Sequence, residues 1–229
     1  MNEFSCKDVA NALSLANMIL GLFSIICSFC KRSHCACWML LVSFLIDMAV
    51  GAITRHLNIC SKSAGVELND FAVFTTFGLA SAMLLGVNGT LNGFLAIIYI
   101  LTTSFRLCSY STCECNSDIP FVYKGLPCPY ASCVLASTSL LTKGNPFILS
   151  CMASLMVLFM MDQSYYPHDE ILDSENWKKI VYLGGVIMLF LFPFSITAFY
   201  CLMWSLSYIF FPDALWGKAM CLKLQQGGN

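Results

Sequence analysis

Long apolar runs separated by short polar breaks make up most of this 229-residue chain. Runs at 12–29, 38–54, 71–87, 91–105, 130–141 and 147–161 approach the roughly 20 helical residues that cross a bilayer core of about 30 Å. The shorter ones need local thinning or snorkelling flanks. The last apolar region, 180–211, would extend about 48 Å as one helix, which is more than one crossing. Pro193 and Ser195 near its middle predict a hairpin of two short helices. Polar breaks fall at 31–36, 56–70, 108–124 and 162–179. The last carries Asp162, Asp169, Glu170, Asp173 and Glu175 and reads as a solvated connector. There is no internal repeat and no long linker. The pattern predicts an all-α, polytopic membrane helical bundle of about eight transmembrane helices, a single membrane domain over 1–229.

Composition agrees with the pattern and narrows the function. With 58% hydrophobic and 11% charged residues and a mean hydropathy of +0.74, there is too little polar surface to close a water-soluble globule. The net charge of -1 supplies no basic face, so no nucleic-acid partner is expected. Lys7 is the only early positive charge and no small-residue cleavage site follows it, so the first apolar segment is expected to be retained. Eight crossings with both termini cytosolic put Lys7, Arg55, Lys62, Arg106, Lys124, Lys178, Lys179, Lys218 and Lys223 on the cytosolic side. Lys31, Arg32 and Lys143 fall on the other. Seven crossings would move Lys218 and Lys223 across and weaken that asymmetry, so eight is preferred.

Chemistry concentrates between Asp47 and Ala80. Asp47, Gly51, Arg55 and Gly65 keep the frame of a known signature, while Val50, Asn69 and Val73 occupy three of its acidic positions. The segment resembles the CDP-alcohol phosphotransferase motif, in which Asp-x2-Asp-Gly-x2-Ala-Arg is followed about eight residues later by Gly-x3-Asp-x3-Asp. Here Thr54 replaces the usual Ala, and nine residues separate Arg55 from Gly65.

Further segments are similar to the phosphatidylserine-synthase branch. Asn11 to Gly21 resembles its Asn-x-Leu-Thr-Leu-x-Asn-x3-Gly opening. Thr76-Phe77-Gly78-Leu79-Ala80 continues the second half of the motif, and Phe105-Arg106-Leu107 stands where Leu-Arg-Leu ends the fourth helix. Gly125-Leu126-Pro127 begins the fifth, and Tyr165-Tyr166-Pro167 resembles an Arg-Tyr-Pro after the sixth. The resemblance implies a six-helix core over 11–167 with the 180–211 hairpin added at its C-terminal side.

The chemistry of such enzymes shows what the substitutions remove. Phosphatidyl transfer from a CDP-activated lipid needs diphosphate charge neutralised and an alcohol deprotonated, work for two divalent metals and a base. Family enzymes present Asp pairs at i, i+3 and i, i+4 so that all four carboxylates enter one cleft. Valine offers no oxygen, Asn69 only a neutral one, and Val73 stands where the resemblance puts the general base. Glu67 and Asp70 would point about 200° and 100° away from Asn69 on a helix. No catalytic residue is therefore assigned.

Gly51, Arg55 and Gly65 remain as relic substrate-binding positions, where glycines admit close backbone approach and arginine pairs with phosphate. Tight packing and interface anchoring explain the same residues equally well. Asp47 and Asn69 remain as relic metal positions; an acid inside an apolar helix usually faces a polar cavity.

The reading is a catalytically inactive relative that holds a lipid or nucleotide headgroup, or regulates. The rival is an active CDP-diacylglycerol-dependent phosphatidyltransferase with an altered metal site. No cofactor is expected in the first case, Mg²⁺ or Mn²⁺ in the second. Membrane lipids are the expected partners, with a homodimer or an active family relative implied by the resemblance. The endoplasmic reticulum is the location that the lipid-synthesis resemblance implies.

Fourteen cysteines raise a third possibility, a cysteine-dependent scaffold. Cys30, His34, Cys35 and Cys37 form one cluster, and Cys108, Cys113 and Cys115 another, with Cys128 beyond. Neither has the paired C-x2-C spacing of a zinc site. Disulfide formation suits the first side of the membrane, and lipidation or reduced thiols the second. Cys27, Cys133, Cys151 and Cys201 lie within apolar runs and are expected in the core. Asn88-Gly89-Thr90 is a glycosylation sequon set tight against the membrane.

Overall fold

A computed structural model describes residues 2–56, 65–86, 90–113, 122–167 and 176–212. Helix α1 (Asn2–Phe29) and α2 (Ser33–His56) form an antiparallel pair, turned at Lys31 with φ 58°. Next, α3 (Gly65–Val73), a π-helical stretch (Phe74–Ala80) and α4 (Ser81–Leu84) run on as one rod. Then come α5 (Thr90–Cys113), α6 (Cys128–Leu141), α7 (Pro146–Met161), α8 (Asn176–Leu191) and α9 (Phe194–Phe210). That makes eight rods among the described residues. Strands β1 (Val122–Lys124) and β2 (Tyr165–Pro167) pair antiparallel, with Tyr123 opposite Tyr166.

Helix ends follow local chemistry. Asn145 caps α7 by accepting from Phe147 N at 3.1 Å and Ile148 N at 3.4 Å, with Pro146 in the first turn, where its missing N–H costs nothing. Lys143 and Gly144, both at positive φ, make the tight turn before it. Pro193 opens α9 in an extended conformation and separates it from α8.

Helix α6 sits at the centre and is buried almost all round, from Cys128 to Ser139. It packs against α2, α9, α7 and the α3–α4 rod. The distribution of side chains on the exterior is not that of a water-soluble bundle. Leu15, Ile19, Leu22 and Ile26 on α1, Phe94, Ile97, Leu101 and Phe105 on α5, and Ile180, Leu183, Ile187 and Phe190 on α8 are exposed apolar stripes at helical spacing. Meanwhile Ser14, Ser24, Ser43, Thr76, Ser81, Ser132 and Thr197 are buried. Continuous apolar faces of this extent need a nonaqueous surrounding.

Between the helices, hydroxyls act as glue: the Ser81 and Ser132 hydroxyls are hydrogen-bonded at 2.6 Å, and Ser24 donates to Ala36 O at 2.9 Å. This is how helices associate in lipid. Asn11–Phe29 and Thr90–Ser109 are long and apolar enough to span by themselves, and five further apolar helical stretches are shorter.

Several expectations need correction. The third rod begins at Gly65 rather than 71, so the whole of the expected 56–70 break is helix or outside the described residues. Arg106 does not end its helix, because α5 continues to Cys113. Cys151, expected in the core, is exposed, while Cys133 and Cys201 are buried and Cys27 is half-buried. The Asn88 sequon, Lys62, Cys115, Lys218, Lys223 and the acids Asp169, Glu170, Asp173 and Glu175 lie outside the described residues.

Candidate functional site

The site is built on one face of α1. Ser14, Asn17 and Gly21 follow at i, i+3 and i+7, so they share that face. Gly21 meets the π-helical stretch so closely that an added Cβ would stand 2.8 Å from Thr76 Cα. This contact brings the third rod in beside α1, parallel to it, while α2 runs antiparallel on the other flank. Thr76 Oγ1 donates to Asn17 O at 3.1 Å, which fixes α1 against the rod at the level of the site.

Here Asp47 and Asn69, the two positions expected as relic metal ligands, meet α1. Ser14 Oγ donates to Asn69 Oδ1 at 3.2 Å, and Asn17 Nδ2 donates to Asp47 Oδ1 at 3.5 Å. Asp47 and Asn69 are half-buried; Ser14 and Asn17 are buried. Val73, one turn beyond Asn69, is 7% exposed and belongs to the apolar core with Phe77, Ala80 and Leu85. Gly51 lies one turn and Arg55 two turns beyond Asp47 along α2, and Gly65 is the first residue of α3. The surroundings of the Val50 and Arg55 side chains fall outside the described residues.

A second assembly stands at the same end of the bundle. Buried Arg106 donates from Nη2 to Gly125 O at 2.6 Å. Gly125 has φ +78°, and a Cβ there would lie 2.7 Å from the carbonyl oxygens of Met160 and Asp162, so only glycine fits. Gly125 N donates to Ser164 O at 2.6 Å and Leu126 N to Phe159 O at 3.1 Å. The β1–β2 pair continues this seam to Tyr166, and Tyr208 on α9 closes it by donating to Pro167 O at 2.6 Å. Tyr208 stacks on Tyr130 with ring centroids 3.9 Å apart. Burial first, then the Asp162 carboxylate, raise the Tyr166 phenol above its ordinary range, with the Arg106 guanidinium opposing. Asp47 and Arg106 are both near enough to Cys128 for their charges to act on its thiol, which joins this assembly to the first.

As a cage for two divalent cations the described donors fall short. Asp47 gives one carboxylate, Asn69 a neutral amide oxygen, and Val73 is turned into the apolar core, whereas paired hard cations need several anionic oxygens. Of the cysteine cluster near residue 35, Cys30 and Cys35 are exposed while Cys37 is buried. Among the described residues no three His, Cys, Asp or Glu side chains are grouped to hold a metal. The roles of Ser14 and Asn17 escaped the sequence reading, which used them only as parts of a helix-opening pattern; their spacing of three was the available signal. The Arg106–Gly125–Tyr166 assembly joins three segments that each carry the family resemblance separately, and no local pattern in the sequence marks their contact.

No family model matches the chain. Transmembrane protein 269 of Mus musculus is 73% identical over 223 residues, 97% of this chain and 86% of that protein. The chain belongs to the transmembrane protein 269 family. Its Homo sapiens member is 74% identical over 208 residues, 91% of this chain and 100% of that protein. A more distant relative is the CDP-diacylglycerol--serine O-phosphatidyltransferase of Bacillus subtilis (strain 168), 29% identical over 194 residues, 78% of this chain and 100% of the enzyme. The transmembrane protein 269 family thus has membrane phosphatidyltransferases among its distant homologues, which supports the CDP-alcohol phosphotransferase resemblance. Integral membrane placement follows from the same relatives and from the apolar exterior.

Proposed function

We propose that this chain crosses the membrane eight times as a single domain over 1–229 and keeps a phosphatidyltransferase-like cleft without phosphatidyl transfer. Its core spans 11–167 and resembles the phosphatidylserine-synthase branch; the 180–211 hairpin packs beside it. The cleft faces the cytosol, with the endoplasmic reticulum as the membrane that lipid-synthesis relatives suggest. Gly51, Arg55 and Gly65 form its relic substrate-binding frame. Its occupant is a lipid or nucleotide-like headgroup, and its role is binding or regulation, alone, as a homodimer or beside an active relative.

The single observation that carries this reading is Val73. At the position of the general base stands an aliphatic side chain packed into the core, which can neither take a proton nor hold a cation. Asn69 and Asp47 are engaged by α1 through Ser14 and Asn17.

A second reading, an active phosphatidylserine-synthase-type enzyme with an altered metal site, is favoured by the match across the whole Bacillus enzyme. Purified protein incubated with CDP-diacylglycerol, serine or other alcohols, and Mg²⁺ or Mn²⁺ separates the two. The expected result is no CMP above a mock preparation, with CDP-diacylglycerol still raising the melting temperature. Metal-dependent CMP release would overturn the inactive reading in favour of the second.

A further inference from the structure

Acids and bases are spread very unequally along this chain. All 13 acids fall outside residues 9–46, 71–113, 119–161 and 176–212. Each of those intervals contains one turn at the end of the bundle remote from the cleft: α1–α2, α4–α5, α6–α7 and α8–α9. Side-chain contacts hold the turns at one level. His34 and Trp38 meet Phe194 with ring centroids 4.4 Å and 4.7 Å apart, which joins the first turn to the last. Cys37 and Ser139 are hydrogen-bonded through their side chains, which joins the first to the third. Ser150 Oγ donates to Asn92 Oδ1 at 2.9 Å and Asn92 Nδ2 to Leu85 O at 3.4 Å, which joins the third to the second. Lys31, Arg32 and Lys143 stand exposed in these turns, with His34 beside them. One end of the bundle is thus cationic, and no acid in its turns or in the helix halves next to them can neutralise it.

We propose that this end docks on the headgroups of acidic phospholipids in the surrounding leaflet. The turns decide the level at which the cations act. Lys31 and Lys143 take positive φ in turns of only a few residues, so their ammonium groups stay close to the helix ends. Large apolar rings flank them there: Phe29 is 69% and Phe147 76% exposed, and Phe192 and Phe194 are exposed as well. Apolar rings with lysine and arginine at one level are what a membrane interface holds, whereas a water-soluble partner would leave those rings uncovered. The missing acids decide the lipid. A zwitterionic headgroup brings its own cation to compete with Lys31, Arg32 and Lys143, while an acidic one brings net negative charge. Each cation within a Debye length of such a surface favours it about fivefold. No convergence on a single point is needed, because a leaflet presents many headgroups in one plane. The proposal is independent of the inactive-cleft reading, whose residues lie toward the other end. Its consequence is a fixed depth of insertion for four turns at once.

The test uses the full chain in liposomes carrying a photoactivatable lipid whose reactive group sits next to the headgroup, either phosphatidylglycerol or phosphatidylcholine at equal mole fraction. Labelled peptides are then mapped by mass spectrometry. The expected result is severalfold more labelling of peptides covering 29–38 and 141–147 by the acidic probe than by the zwitterionic one. That preference should shrink in about 1 M salt, where the Debye length falls to about 3 Å. In the combined variant Lys31→Gln, Arg32→Gln, Lys143→Gln it should drop to parity, with the melting temperature unchanged because all three side chains are exposed. Should that variant fail to fold, Lys143→Gln alone decides, with an expected loss of up to about fivefold in preference. Equal labelling of the wild type by the two probes overturns the proposal, and so does a preference that survives the substitutions. Binding of polyglutamate at these cations in detergent, with no preference between the two lipids, would assign the end to an acidic protein and overturn it as well.

Discussion

At residue 73 the difference between an acid and a valine separates two kinds of protein. A carboxylate there would have to be buried among Phe77, Ala80 and Leu85, so Val73→Asp should destabilise by about 3 kcal/mol or more. Thermal unfolding would show it as a large fall in melting temperature, and an unchanged value would mean that this position opens onto water or a polar cavity. Tyr166 gives a second residue-scale expectation. Its phenol has a raised pKa in the fold, so its stabilising contribution is complete below about pH 10, the ordinary tyrosine value, and is lost as pH climbs through the raised one. Wild-type melting temperature should therefore drop more steeply above about pH 10 than that of Tyr166→Phe. The missing acids were plain in the sequence, because a valine in an aspartate position needs no structure to be noticed. Cys151 was misplaced for a physical reason: in a lipid-facing bundle both the inner and outer faces of α7 are apolar, so periodicity does not tell core from exterior.

Among the elements, proline and glycine made the hairpins legible. Pro193 separates α8 from α9, and Asn145-Pro146 opens α7. The β1–β2 pair was not legible, since three residues a strand carry no alternation to read. What that pair does is tie the α5–α6 and α7–α8 connections together, with α9 bolted on through Tyr208. Tyr208→Phe removes one buried hydrogen bond at 2.6 Å to Pro167 O while keeping the ring stack on Tyr130. A loss of about 1 kcal/mol is expected, with the C-terminal hairpin becoming more open to limited proteolysis than the core. Equal protection in both forms would show that the stack alone holds the hairpin. Gly184 and Gly185 behave as packing residues: a Cβ on Gly185 would lie 3.2 Å from Trp204 and 3.4 Å from Leu45.

Viewed as a whole, the molecule has two ends of different character. Asp47, Asn69, Arg106, Gly125, Tyr166 and buried Lys178 gather toward one end, while the α1–α2 and α6–α7 turns, with Lys31 and Lys143, mark the other. If the eight helices cross as proposed, the two ends face different compartments. Lys143→Cys and Gln163→Cys, at opposite ends of α7 and both exposed, make the check, in a background whose exposed native cysteines are replaced by serine. In sealed vesicles an impermeant maleimide should label one and not the other, and labelling of both or neither would refute the crossing of α7. The bundle class was legible from the apolar runs. The convergence of α1, α2 and α3 on one polar cluster was not, because it depends on helices meeting side by side rather than on any local pattern.

The π-wound stretch Phe74–Ala80 has a further effect on the neighbouring positions. Such a stretch accommodates an extra residue within a helix, so it acts as a phase shifter between the part of the rod fixed by Ser81 on Ser132 and the part bearing Asn69. Wound as an ordinary α-helix, the same residues would rotate everything upstream by about 100°. Asn69 would swing away from Ser14, and a different side chain would be presented to the cleft without a single substitution within it.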